Sequence, residues 1–84
     1  MFTGLIEEIG TISSLTASGD GSIVEISATR VLDDVSHGDS IAIGGVCLTV
    51  IDYTRTSFRA DVMKETLLHS AASSWVPGTS VNLE

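Results

Sequence analysis

Apolar and polar side chains alternate along several short segments of this 84-residue chain, and this alternation constrains the fold more than any other feature. Val24 and Ile26, for example, alternate with Glu25 and Ser27. Successive side chains of a β-strand point to opposite faces, so a period of two predicts strands with one buried face. β-Branched residues are abundant and there is a single proline, which also favours pleated structure. The chain is therefore predicted to be all-β.

The turn signals divide the chain into six strands and two helical turns. We predict strands at residues 4–16, 23–27, 40–43, 48–54, 57–63 and 80–83, and helical turns at residues 31–35 and 64–70. Gly, Ser and Asp at 16–22 predict a hairpin loop, and Gly44-Gly45 predicts a turn at which the apolar face changes register. A closed barrel leaves no exposed strand edges. The predicted fold is one small six-stranded antiparallel Greek-key barrel with one or two short helices, spanning residues 1–84.

The charge of the chain limits its partners. Four basic and eleven acidic residues give a net charge of −7 and a pI near 4.4, which would repel phosphate backbones and anionic membranes. Nucleic acid and membrane surfaces are therefore not expected as partners. No apolar run is long enough for a membrane span, and Cys47 is the only cysteine. We expect a soluble, cytoplasmic protein without an internal disulfide.

One predicted face carries polar and reactive groups. If Val46, Leu48 and Val50 fill the core, period-two geometry turns Cys47 and Thr49 outward, and it turns Asp61 and Met63 outward on the neighbouring strand. Backbone N–H groups at the start of the following helix, residues 64–66, are free to donate. This face is a candidate rim for a small molecule. That interpretation competes with an ordinary surface, on which a lone cysteine packs as a small apolar group and the charges are solvated.

Metal and phosphate motifs are not found. His37 and His69 have no ligand spacing to each other or to Cys47, and the sequence contains no phosphate-binding loop and no serine nucleophile elbow. No metal site is therefore predicted.

Four segments resemble the riboflavin synthase family. They are the opening MFTGLIEEIG at residues 1–10, the segment SIAIGGVCLTV at 40–50, the segment DVMKETL at 61–67 and the ending VPGTSVNLE at 76–84. The resemblance therefore spans the chain. Members of that family contain two similar barrels in tandem, so it implies that residues 1–84 are a single lumazine-binding barrel, the N-terminal half of a longer enzyme.

The resemblance also implies an activity. The chain would bind 6,7-dimethyl-8-ribityllumazine or riboflavin in a shallow groove between two barrels. The full enzyme, a transferase, would move a four-carbon unit between two lumazines and release riboflavin and 5-amino-6-ribitylamino-pyrimidinedione. No metal or organic cofactor is implied. The protein would contribute proximity and orientation of two reactive heterocycles and stabilisation of a deprotonated lumazine. The single barrel is expected to bind ligand with little or no turnover.

The family's site residues carry over to matching positions. Cys47 is the candidate catalytic residue, either as an activator of a nucleophile or only as part of the wall. The expected ligand-binding residues are Gly4, Leu5, Ile6, Ser40, Cys47, Leu48, Thr49, Asp61, Val62, Met63, Lys64, Glu65 and Thr66.

The expected protein partner is a second barrel. We expect a self-dimer of this barrel, because a two-fold contact needs only a self-complementary face. The resemblance implies a homotrimer for the full-length enzyme.

Three other functions compete with the enzyme. A non-catalytic lumazine or flavin carrier is the nearest, since such proteins also contain tandem barrels. A biotin-carrier-like β domain is suggested by Val62-Met63-Lys64, although Glu65 stands where a second methionine is expected. An oligonucleotide-binding barrel is disfavoured by the acidic charge and by the four aromatic residues, too few for stacking platforms.

Overall fold

Six antiparallel strands close into a barrel in the computed structural model, which describes residues 8–19, 21–33 and 35–84. The strands are β1 (Glu8–Ser18), β2 (Gly21–Ser27), β3 (Ser40–Ile43), β4 (Val46–Tyr53), β5 (Ser57–Val62) and β6 (Ser80–Leu83). A helix, α1 (Lys64–His69), and two 3₁₀ turns, Arg30–Asp33 and Ala71–Ser74, lie in the connections. The order around the barrel is β1-β2-β5-β4-β3-β6, so the β3-β4-β5 meander is flanked by β2 and β6 in a Greek key.

The predicted fold class is confirmed, and so is the hairpin predicted at residues 16–22, but its loop is shorter than predicted. β1 continues to Ser18 and β2 begins at Gly21, because Thr16 pairs with Ile23 within the ladder. Polar residues favour a loop locally, whereas ladder pairing extends both strands through them. The 3₁₀ turn Ala71–Ser74 was not predicted, and the predicted strand start at residues 4–7 lies outside the described part of the chain.

The core fills the barrel from its strands. The most buried large side chains are Phe58, Ile12, Ile26, Ile43, Leu83, Val24, Val50 and Val62. Gly44 and Gly45 have positive φ angles of +57° and +86°, which a side chain disfavours, and they form the β3–β4 turn. The predicted register change at this turn is confirmed, since Ile41 and Ile43 before it and Leu48 after it are buried. Trp75, 5% exposed, packs beside Gly44.

Two bulges lie on either side of the β2–β5 pair. The β1–β2 register shifts between Ile12 and Ser14, and the β4–β5 register shifts between Val50 and Asp52. A bulge inserts one extra residue, bends its strand and increases the local twist. Both therefore help these strands to curve into the barrel, and the second brings Asp52 opposite Arg59.

Candidate ligand-binding site

A row of polar side chains crosses the outside of the barrel. Ser40 on β3 pairs with Thr49 on β4, which pairs with Asp61 on β5, and all three are exposed. Cys47 lies two residues before Thr49, with an exposed free thiol, and Met63 follows β5 with 74% of its surface exposed. The outward orientation predicted for Cys47, Thr49, Asp61 and Met63 is confirmed. We call these five residues the outer patch.

An open cleft of about 350 Å³ adjoins the outer patch where β5 ends and α1 begins. Its volume falls at the lower end of the range typical of ligand sites, roughly 300–1,000 Å³. Five of its residues belong to the predicted site. The lining residues are Gly21, Ser22, Asp61, Val62, Met63, Lys64 and Glu65.

Two residues of the cleft, Gly21 and Ser22, were missed by the sequence analysis. A Cβ atom on Gly21 would overlap the carbonyl oxygen of Val62 and lie 3.4 Å from Cα of Met63, so only glycine lets β2 begin this close to the end of β5. Ser22 pairs with Val62 and is buried. The sequence marks Gly21 only as a loop glycine, because its close neighbours are about forty positions away along the chain.

Within the described residues, the structure gives no hydrogen bond or ion pair to the side chains of Ser40, Thr49, Asp61, Lys64 and Glu65. Met63 occupies the N-cap position of α1 without a side-chain cap, which leaves the N–H groups of the first helical turn without that partner. The cleft and the adjoining outer patch thus present hydroxyl, carboxylate, ammonium and backbone amide groups that are available to a ligand.

Several predicted site residues are not exposed at this surface. The side chains of Leu48 and Val62 point into the core, with 6% and 1% exposure, so only their backbone atoms are available to a ligand. Thr66 is half-buried, and its carbonyl oxygen accepts a hydrogen bond from the hydroxyl of Ser70. Residues 4–6, which carry the predicted contacts of Gly4, Leu5 and Ile6, lie outside the described residues.

The Glu8 carboxylate connects the start of β1 to the segment after β2 through three hydrogen bonds. Glu8 accepts hydrogen bonds from the Thr29 N–H at 2.7 Å, the Thr29 hydroxyl at 3.0 Å and the Val31 N–H at 3.1 Å. Burial by itself raises the pKa of Glu8, but the hydrogen bonds from Val31 and Thr29 outweigh it and hold that pKa below its usual value. Sequence reasoning missed this contact because its partners lie 21 and 23 residues away.

An exposed ion pair links β4 to β5. The Arg59 guanidinium donates to both carboxylate oxygens of Asp52, from Nε to Oδ1 at 2.8 Å and from its second nitrogen to Oδ2. The hydrogen bond and the charge of Arg59 lower the pKa of Asp52, and Asp52 raises the pKa of Arg59 in return. The pair lines a different cleft from the one at the start of α1, although Arg59 is only two residues from Asp61 on β5.

The described residues form neither a metal-binding cluster nor a membrane-spanning helix. Among them, no three His, Cys, Asp or Glu side chains come together in a way that would hold a metal ion. Over the same ranges, no helix has the length and apolar character needed to cross a membrane.

The closed barrel with its open cleft defines a small β-barrel domain that carries a candidate ligand site. A family model described as the lumazine binding domain matches residues 3–84, and the chain belongs to that family. The chain is 46% identical over 84 residues to a riboflavin synthase of Bacillus subtilis and 41% identical over 91 residues to one of Saccharomyces cerevisiae. These matches cover all of this chain but 39% and 38% of the relatives, so the chain spans well under half of their length.

Solved structures with the same fold include two complexes of LumP. The structure of LumP with flavin mononucleotide superimposes with a TM-score of 0.89 at 21% identity, and the structure with 6,7-dimethyl-8-(1'-D-ribityl) lumazine with a TM-score of 0.87 at 24% identity. Each match covers all of this chain and 48% or 47% of the LumP chain. At this identity the similarity shows the barrel fold.

Proposed function

We propose that this chain is the N-terminal lumazine-binding barrel of a riboflavin synthase and that it binds 6,7-dimethyl-8-ribityllumazine or riboflavin in the cleft and against the outer patch. The observation that carries the proposal is the cleft itself, whose polar side chains have no protein partner in the described structure. The 46% identity to a riboflavin synthase over the whole chain supports the same ligand class.

The groups around the cleft suit a flat heterocycle with a polyol tail. The exposed thioether of Met63 offers apolar surface to a ring, and carboxylates at Asp61 and Glu65 accept hydrogen bonds from hydroxyl groups. The hydroxyl of Thr49 both donates and accepts. Backbone N–H groups at the start of α1 are suited to the carbonyl oxygens of the pyrimidinedione ring.

The proposed reaction of the full enzyme is a dismutation of two lumazines. One molecule gives its four-carbon unit to the other, which yields riboflavin and 5-amino-6-ribitylamino-pyrimidinedione. The two substrates together contain all the atoms of both products, so no further reactant is consumed. Catalysis then depends on holding two ligands face to face in reacting register, which is an effect of proximity and orientation.

Cys47 is the proposed catalytic residue of this barrel. Its exposed thiol lies on the outer patch, two positions from Thr49. In the cytoplasm, where we place the protein, a single thiol stays reduced. Replacing Cys47 with Ser in the two-barrel enzyme tests the role. We expect turnover to fall while riboflavin affinity changes little, and undiminished turnover would leave Cys47 as a wall residue only.

A second barrel is the proposed partner of the outer patch. Because the groove is open, a second copy of this barrel would cover it through a two-fold contact. Sedimentation of the chain with saturating riboflavin is expected to give a dimer. A monomer at high protein concentration would contradict the self-dimer without excluding ligand binding.

The central experiment is a titration of the chain with riboflavin and with 6,7-dimethyl-8-ribityllumazine, followed by ligand fluorescence. We expect saturable binding of both. Thr49→Val, which removes a hydroxyl and keeps the shape, should weaken binding about fivefold, corresponding to about 1 kcal/mol for one hydrogen bond. The matched control is Thr56→Val, on the exposed β4–β5 turn, which should leave the affinity unchanged. Equal effects of the two variants would place the ligand elsewhere.

A non-catalytic lumazine or flavin carrier is the second candidate, and the similarity of fold to LumP favours it. Both candidates bind the same ligands, so binding does not separate them. Incubating the two-barrel protein with 6,7-dimethyl-8-ribityllumazine separates them, because only the synthase accumulates riboflavin.

A further inference from the structure

The charges that line the cleft are unbalanced. Asp61 and Glu65 carry carboxylates, and Lys64 is the one cation among the cleft residues that the structure describes. None of these three side chains forms an ion pair within the described residues, so no protein partner neutralises them. The chain as a whole has a net charge of −7. The cleft is therefore a site of net negative charge in an acidic protein.

This imbalance acts differently on a neutral polyol and on a phosphate ester. Free ribityl hydroxyls donate hydrogen bonds to carboxylates, whereas a phosphate dianion has only acceptor oxygens and is repelled by them. Asp61 and Glu65 line the same cleft of about 350 Å³, so a phosphate held there approaches both carboxylates, and charges interact over about 10 Å at moderate salt. Coulomb's law in water, for a dianion about 8 Å from one net negative charge, corresponds to roughly a fivefold loss of affinity.

We infer that Asp61 and Glu65 are specificity-determining residues that make the cleft select ligands with a free ribityl chain over their 5'-phosphates. Riboflavin and flavin mononucleotide are the matched pair for this inference, because they differ only by the phosphate. The inference rests on the proposed function, since it concerns the ligand of the same cleft.

The test is the ratio of the two dissociation constants, Kd for flavin mononucleotide over Kd for riboflavin, measured by fluorescence titration near pH 7.5. We expect a ratio of about five at low salt, falling towards one at about 0.5 M salt as the charges are screened. The double variant Asp61→Asn, Glu65→Gln should lower the ratio at low salt severalfold. Asp33→Asn removes one exposed carboxylate from the 3₁₀ turn Arg30–Asp33 and should leave the ratio unchanged.

The outcomes separate the two proposals. Equal affinities of the native chain for both flavins at low salt would overturn the inference and leave the proposed function standing. A ratio that survives the double variant, or that falls equally with Asp33→Asn, would assign the selection to the charge of the whole protein rather than to these residues. Absence of riboflavin binding would overturn both proposals.

Discussion

The two ends of the β4–β5 pair use polar side chains in opposite ways. At the hairpin end the Arg59 guanidinium binds Asp52, and Ser57 donates from its hydroxyl to Glu25 at 3.2 Å. At the cleft end, within the described residues, Asp61 has no such partner. Polar groups that pair with each other hold strands together, whereas exposed polar groups that gather without pairing are available to a ligand.

Cleft size does not distinguish these ends. The hairpin end also has an open cleft, of about 420 Å³, against about 350 Å³ at the proposed site. Its lining residues Asp52 and Arg59 bind each other, and Thr54 accepts a hydrogen bond from the Ser57 N–H at 3.2 Å. The availability of the side chains, rather than the volume of the cleft, therefore distinguishes the proposed site from the hairpin end. Substitutions at the hairpin end should leave ligand binding unchanged, and side-chain substitutions at the cleft end should weaken binding with little change in stability.

Gly21 is the exception that gives the largest expected effect, because it is a structural residue at the cleft end. Gly21→Ala should lower the free energy of unfolding by about 2–3 kcal/mol, since the new Cβ meets the backbone of Val62, which cannot move without disturbing β5. Gly19→Ala on the same turn is the control. Gly19 has open space and a φ of +59°, so alanine there costs only about 1 kcal/mol of conformational strain. Urea unfolding of both variants measures the difference, and equal losses would mean that β2 has room to shift.

Glu8 gives the next largest effect on stability, and it belongs to the hairpin end because its partner Thr29 lines a cleft with Tyr53, Thr54 and Arg55. Glu8→Ala removes the acceptor of two backbone N–H groups and should lower the free energy of unfolding by about 1 kcal/mol, as loss of a helix cap does. Glu65→Ala, at the cleft end, should change stability by less than about 0.5 kcal/mol. A larger loss for Glu65→Ala than for Glu8→Ala would contradict the division between the two ends.

Acid should weaken the barrel through the same carboxylate. The pKa of Glu8 is lower in the folded chain than its usual 4.5, so the folded state binds fewer protons than the unfolded state. Its stabilising contribution is complete above that usual value and is lost as the pH falls through the lowered pKa. Urea unfolding from about pH 7 to about pH 3 measures the free energy of unfolding of the native chain and of Glu8→Gln. The difference between these two free energies should therefore shrink as the pH falls. A difference in unfolding free energy that stays constant with pH would show that the hydrogen bonds to Glu8 do not depend on its negative charge.

The sequence predicted those features that depend on strand parity. Alternation correctly assigned Phe58 and Val50 to the core and Cys47, Thr49 and Asp61 to the outside, because a period of two leaves no third orientation. The barrel followed from six such segments, and the family resemblance added the ligand class.

The remaining features depend on contacts between distant residues. The Glu8 cap joins positions 21 and 23 residues apart, and the need for glycine at Gly21 comes from Val62 on another strand. The resemblance transferred whole segments, so it counted Leu48 and Val62 as ligand residues although their side chains lie in the core. A match between segments does not tell which face of the strand a ligand contacts. The alternation of side chains along the strand does tell which residues face outward.

Met63 tests binding at the cleft end without a cost in stability. Met63→Ala should weaken riboflavin binding about fourfold, equivalent to about 0.8 kcal/mol for one CH₂ group of lost contact, and leave the unfolding free energy unchanged because the side chain is 74% exposed. Ile9→Ala on β1, at a side chain of 67% exposure, is the matched control and should not affect affinity. If both variants weaken binding alike, the ligand does not lie in the cleft.

The smallest effect is expected at the hairpin end, from Arg59→Gln. Although Arg59 binds Asp52 through two nitrogens, both groups are exposed, and an exposed ion pair gains little because water and salt screen its charges. Glu8 differs because its partners are backbone N–H groups that would otherwise lack a hydrogen bond. We expect Arg59→Gln to unfold at the same urea concentration as the native chain, within error, and to bind riboflavin equally well. A clear loss of stability would mean that the ion pair fixes the bulge beside Asp52. The hairpin end would then stabilise the barrel through this ion pair as well as through the hydrogen bonds from backbone N–H groups to Glu8.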